Sequence, residues 1–124
     1  MSVSTSEVQR TVVCESDELS PGEMVAATVG SLHIVVVRAR DGSLHALEDR
    51  CLHQGARLSR GRLLDAIDGE RPGDYRVAPD SELVKCPWHG YEYDVRTGCA
   101  LFDRRRRLRR ARVYEDDGQI VAER

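Results

Sequence analysis

The sequence predicts an all-β protein, a small antiparallel sandwich or barrel. Three observations carry this. Apolar runs last four to eight residues, β-branched residues dominate them, and Gly, Pro and Asp breakers fall between them at hairpin spacing. QRTVVCE (9–15) reads as the first strand and LSPGEM (19–24) as a turn. VAATVG (25–30) and SLHIVVVRAR (31–40) follow as strands, and Asp41-Gly42 marks a hairpin turn into LHALED (44–49).

From Arg50 to Gly61 the chain becomes polar and loop-like. The stretch from Gly61 to Glu82 carries Gly, Pro and Asp pairs and is read as loop, with LLDAI as a helical turn at most. ELVKC (82–86) is a short strand. RRARVYE, DDGQ and IVAE at the end read as strand, turn and strand.

At 124 residues the chain has the length of one domain, long enough to build a core without a structural metal or disulfides. Residues 1–7 are expected to be a flexible tail and 8–124 a single domain. The opening MSVSTSEVQR has no apolar h-region, and the longest apolar run, Ile34 to Val37, is far too short to span a bilayer. The expectation is a cytoplasmic protein without a membrane segment, in which Cys14, Cys51, Cys86 and Cys99 are reduced and available as ligands.

Charge is unevenly placed. Seven arginines lie between Arg104 and Arg112, leaving 12 of the 19 basic residues against 21 acidic ones elsewhere. Such a run fits a solvated strand edge. It also fits docking of an acidic partner surface. Nucleic-acid binding is not expected, because no aromatic residues interleave the arginines.

Two short pairs stand out: Cys51 and His53 in CLHQG, and Cys86 and His89 in CPWHGYEYDVRTG. Ligands one or two residues apart reach one centre only from a tight turn, and Gly55, Pro87 and Gly90 suit such turns. Two thiolates and two imidazoles then converge, a set that suits tetrahedral Zn²⁺ or an iron–sulfur centre. The remaining His33 and His45 lie in strand-like runs and read as ordinary strand residues. Cys14 reads as a core residue, and Cys99 as a neighbour of the second pair.

CLHQGARLSRG and CPWHGYEYDVRTG resemble the two cluster-binding boxes, C-x-H and C-x-x-H, of the Rieske [2Fe–2S] family. The resemblance implies a Rieske-like β-sandwich with two cluster-binding loops at one end. It further implies one [2Fe–2S] cluster, with Cys51 and Cys86 on one iron and His53 and His89 on the other. Replacing two thiolates by neutral imidazoles removes negative charge and makes reduction easier, and the imidazoles should make the potential fall as pH rises.

The respiratory-complex branch carries an extra cysteine in each box; here those positions are Ala56 and Trp88. Tyr91 stands where that branch has a serine, so a donor to the cluster is missing and the expected potential is low, about −150 mV. The resemblance is thus to the soluble ferredoxins of bacterial ring-hydroxylating systems, and Tyr93 is placed to bond a cysteine sulfur. Family members usually have about half as many residues between the boxes, so 62–81 reads as a loop insertion.

The implied function is one-electron transfer from a flavin-dependent reductase to a terminal oxygenase, by a carrier that is not itself an enzyme. No His/carboxylate motif for a mononuclear oxygenase iron accompanies the boxes. Two alternatives use the same residues: a small subunit of a nitrite-reductase-type enzyme, and a zinc-stabilised binding module.

Overall fold

A computed structural model describes residues 9–52, 55–65, 82–87, 91–103 and 105–124. Nine strands occur among them: β1 (Arg10–Glu15), β2 (Glu23–Val29), β3 (Leu32–Arg38), β4 (Leu44–Glu48), β5 (Arg62–Asp65), β6 (Glu82–Lys85), β7 (Glu92–Asp94), β8 (Arg110–Asp116) and β9 (Gln119–Glu123). Two 3₁₀ turns, Ser16–Glu18 and Leu58–Arg60, complete the elements. The all-β expectation holds.

Six strands form one antiparallel sheet in the order β1-β9-β8-β4-β3-β2, and β1 approaches β2 so that the sheet nearly closes into a barrel. The other three form a small sheet, β5-β6-β7. The turns are set locally. Gly30 (φ +60°) opens the two-residue link between β2 and β3, and Asp117 (φ +53°) with Gly118 (φ +76°) makes the β8–β9 turn, both residues in the left-handed region that such hairpins need.

β3 explains how the two sheets share a core. Val35 and Val37 point into a cluster with Leu58, Val84, Tyr93, Val95 and Leu108, beneath the small sheet. Ile34 and Val36 point the other way, into the barrel interior with Val29, Ala46, Ile120 and Ala122. A strand covered on both faces must be apolar at consecutive positions, which is why this run lacks alternation. Each fully buried valine contributes about 1.5–3 kcal/mol relative to exposure.

Arg38 closes the strand. Buried itself, it donates from Nε to the Leu19 carbonyl (2.8 Å), and from its terminal nitrogens to Gly42 (3.0 Å) and Ser16 (3.2 Å) carbonyls. One side chain thereby ties the first 3₁₀ turn, the segment before β2 and the β3–β4 loop.

Two sequence expectations need correction. Arg62–Asp65 is a strand, not loop or a helical turn: it pairs with β6 from Arg62↔Lys85 to Asp65↔Glu82, and such pairing outweighs its weak local pattern. Glu92–Asp94, left unassigned inside the second box, is β7, pairing with β6. The rest of the expected insertion, 66–81, and the expected tail, 1–7, lie outside the described residues.

Candidate metal centre

The two boxes leave the two sheets in matching ways. Cys51 follows β4, and its N–H donates to the Ala56 carbonyl (2.8 Å); Cys86 follows β6, and its N–H donates to the Tyr91 carbonyl (2.7 Å). Each cysteine therefore opens a turn closed by the residue five positions later. Gly55, at φ +75°, donates back to the Cys51 carbonyl (2.8 Å) and supplies the left-handed step.

Both thiols are buried in the cluster beneath the small sheet, together with Tyr93. Tyr93 lies on β7, fully buried, with its hydroxyl 3.3 Å from Cys51 Sγ. That hydroxyl accepts the Leu52 N–H at 2.8 Å, and toward a Cys51 thiolate, which has no hydrogen to give, its own hydrogen is the donor. Burial, then the bond to Cys51, holds its pKa well above the usual phenol range, so it stays a donor at any working pH.

The first loop is braced from two further sides. Asp49, a buried carboxylate, accepts the Ser59 N–H (2.7 Å) and hydroxyl (2.6 Å), with Arg57 at 3.9 Å. Arg106 donates to the Leu52 carbonyl (3.1 Å) while its guanidinium lies 5.7 Å from the Phe102 ring centre. Phe102 meets Tyr91 and Tyr93 edge-on, at 4.7 and 5.9 Å. Leu52 is thus held on both sides of its Cα, its N–H by Tyr93 and its carbonyl by Arg106.

The second loop is set by close approach. A Cβ on Gly61 would fall 1.8 Å from the Lys85 carbonyl oxygen, so only glycine lets the chain cross β6 just before Cys86.

The structure brings Cys51 and Cys86 together around Tyr93. His53 and His89, and Trp88 with them, lie outside the described residues. Ala56 packs against the core and offers its carbonyl, not a thiol, and none of the four cysteines is in a disulfide. Cys14 packs half-buried against the barrel core. Cys99 is buried at a bridge to Arg107. His33 and His45 lie in β3 and β4, near Thr28 (3.2 Å) and Ser43 (2.9 Å) respectively.

Phe102, Arg106, Gly61 and Asp49 were not singled out as site residues in the sequence. Phe102 is the only phenylalanine, a weak signal; Arg106 is hidden among its neighbours in the arginine run.

Two buried thiols on matching turns, one of them accepting a hydroxyl hydrogen bond, are suited to holding iron as thiolates. Residues 9–114 match the family described as Rieske [2Fe–2S] domain. The chain belongs to that family.

A ferredoxin component of a p-cumate 2,3-dioxygenase system from Pseudomonas putida is 29% identical over 91 residues, 72% of this chain and 64% of that protein. The chain therefore spans slightly less than two thirds of this relative. A ferredoxin of carbazole 1,9a-dioxygenase from Nocardioides aromaticivorans superposes with a TM-score of 0.72 at 26% identity, over 92% of this chain and 96% of that one. A Mycobacterium tuberculosis chain described as the small subunit of an NADH-dependent nitrite reductase superposes with a TM-score of 0.75 at 25% identity, covering 95% and 96%.

As a Rieske domain the chain holds one [2Fe–2S] cluster. Family membership selects the cluster over the zinc alternative.

Proposed function

We propose that this chain is the ferredoxin of a multicomponent oxygenase system, taking single electrons from a flavin-dependent reductase and delivering them to a terminal oxygenase in the cytoplasm. The observation that carries the proposal is the pair of matching turns at Cys51 and Cys86, with Tyr93 donating to the first. Cys51 and Cys86 hold one iron in this reading, and His53 and His89 the other. Residues 8–124 act as one domain. When bound, the cluster takes up and returns one electron; the residues around it set how readily.

Similarity to two dioxygenase ferredoxins supports the oxygenase partner. Among the described residues no helix is long and apolar enough to cross a membrane.

The arginine run enters this reading in divided form. Arg106 donates to the Leu52 carbonyl (3.1 Å), Arg105 pairs with Asp103 (3.3 Å), Arg110 donates to the Arg96 carbonyl (2.8 Å) and Arg112 pairs with Glu123 (3.5 Å). These arginines are already engaged within the chain, so the run is a weaker candidate for docking an acidic partner than its sequence suggests.

The test is anaerobic purification with assay of iron and acid-labile sulfide, followed by reduction with candidate flavin reductases and transfer to an oxygenase. One cluster per chain, lost on Cys51→Ala or His89→Ala, is the expected result. Absence of both iron and sulfide would sink the proposal. The fold shared with the nitrite-reductase-type subunit favours a second reading, in which the chain binds a larger reductase subunit. Co-purification with such a subunit, without oxygenase coupling, would select it.

A further inference from the structure

We infer that Arg60, Arg62 and Lys85 form a docking site for the carboxylates of an acidic redox-partner protein, beside the second cysteine box. The inference rests on the carrier reading.

These three side chains and Gly61, Cys86 and Pro87 line a hollow of about 320 Å³. Among the described residues no carboxylate lines it. None of the three cations makes an ion pair among the described residues, although Arg10, Arg38, Arg57, Arg96, Arg105 and Arg112 all do. Furthermore, the register places Arg62 directly opposite Lys85 on neighbouring strands. Like charges facing each other across a sheet oppose folding. On its other side Lys85 faces the buried Glu92 of β7, so the charge with no carboxylate opposite it among the described residues is that of Arg60 and Arg62, both exposed.

Other charged hollows differ. The one beside Ser31 and His33 sets Arg50 and Arg57 against Glu48 and Asp49. The one over β4 and β8 has Arg110 and Arg112, both already engaged by Arg96 and Glu123. Among the described residues, Arg60, Arg62 and Lys85 gather in one hollow with a cysteine proposed to hold the cluster.

Three cations on two elements and their junction, two of them exposed, suit several carboxylates spread over a protein face better than one small anion. Such a face brings the partner against Cys86 and Pro87, and electrostatic attraction speeds the encounter.

Voltammetry of the loaded protein on gold bearing a carboxylate-terminated monolayer tests this, since the monolayer presents the carboxylates of such a face. The wild-type protein should exchange electrons readily at low ionic strength and progressively less as salt rises. Combining R60E, R62E and K85E should slow exchange at least tenfold there and restore it on an ammonium-terminated monolayer. The neutral set R60Q, R62Q and K85Q should fall between. Visible cluster absorption confirms loading, and the neutral set serves if the reversed one does not load.

An unchanged response in loaded variants overturns the inference, as does a loss produced by R105E with R107E instead. Wild-type protein without cluster absorption would overturn the carrier reading and this inference with it.

Discussion

The Tyr93 hydroxyl stands between the Leu52 N–H, at 2.8 Å, and Cys51 Sγ, at 3.3 Å, accepting from one and donating to the other. A donor on a thiolate stabilises the more negative, reduced state of the centre it holds. Tyr93→Phe should lower the reduction potential by about tenfold in the reduction equilibrium, roughly 59 mV for one electron. It also orphans the Leu52 N–H, at a cost of about 1–3 kcal/mol. Potentiometric titration checks the first effect; an unchanged potential would show that the hydroxyl acts on the loop alone.

Arg106 bonds the carbonyl of the same residue, Leu52. Arg106→Gln removes a cation beside the first box, so reduction should become roughly threefold weaker, about 30 mV at 59 mV per tenfold. Arg106→Lys should restore most of that shift. Equal shifts in the two variants would mean that guanidinium geometry, not charge, matters.

Gly61 is fixed by sterics. In Gly61→Ala the new methyl meets the Lys85 carbonyl, a backbone atom that cannot swing aside. The second box must shift, and we expect a loss of about 1–3 kcal/mol as for overpacking, together with poor cluster loading. Gly42→Ala, with open space around its Cβ but a positive φ, should load normally and lose only about 1 kcal/mol. Thermal melts and iron content separate the two.

His45 gives the fold an acid limb. Burial, then the neighbouring Arg96, holds its imidazole below the usual range. On acidification the unfolded chain therefore takes up the proton first, from about pH 6.5, so this contribution to stability is present above that pH and is lost as pH falls. Asp41, held low by its hydrogen bonds to Ser43 and then by Arg96, adds a further loss below about pH 4. His45→Gln should flatten the melting temperature between pH 7.5 and 5.5 and leave the lower limb intact; an unchanged slope would assign the acid limb to other groups.

Arg38→Met should be the most damaging change away from the site. It leaves the Leu19, Ser16 and Gly42 carbonyls without their charged donor. A loss of about 3 kcal/mol is expected, since bonds to charged groups are worth roughly 1.5–3 each. Denaturant unfolding measures it.

The boxes were legible in the sequence because ligand spacing is a local property: Cys51, His53, Cys86 and His89 announce themselves by their separation and by the turn-forming residues beside them. The strands β1 to β4, β8 and β9 were legible for the same reason, their β-branched runs and Asp-Gly turns being short-range. β5 and β7 were not, because four and three residues carry too little pattern and owe their conformation to pairing with β6. Tyr93 was placed correctly at the sulfur from the resemblance alone, and the structure adds why its hydrogen points there.

What the sequence determined by itself was the all-β class, from its short apolar runs and turn signals, the candidate ligand set, from its spacing, and the family, from the resemblance of its two boxes. Tertiary structure alone decided that Arg106 bonds to Leu52 while Arg60, Arg62 and Lys85 line one hollow beside Cys86. The reason is physical: a side chain's partner across 54 residues, or across a strand register, depends on where the sheets bring the backbone, and no local pattern records that.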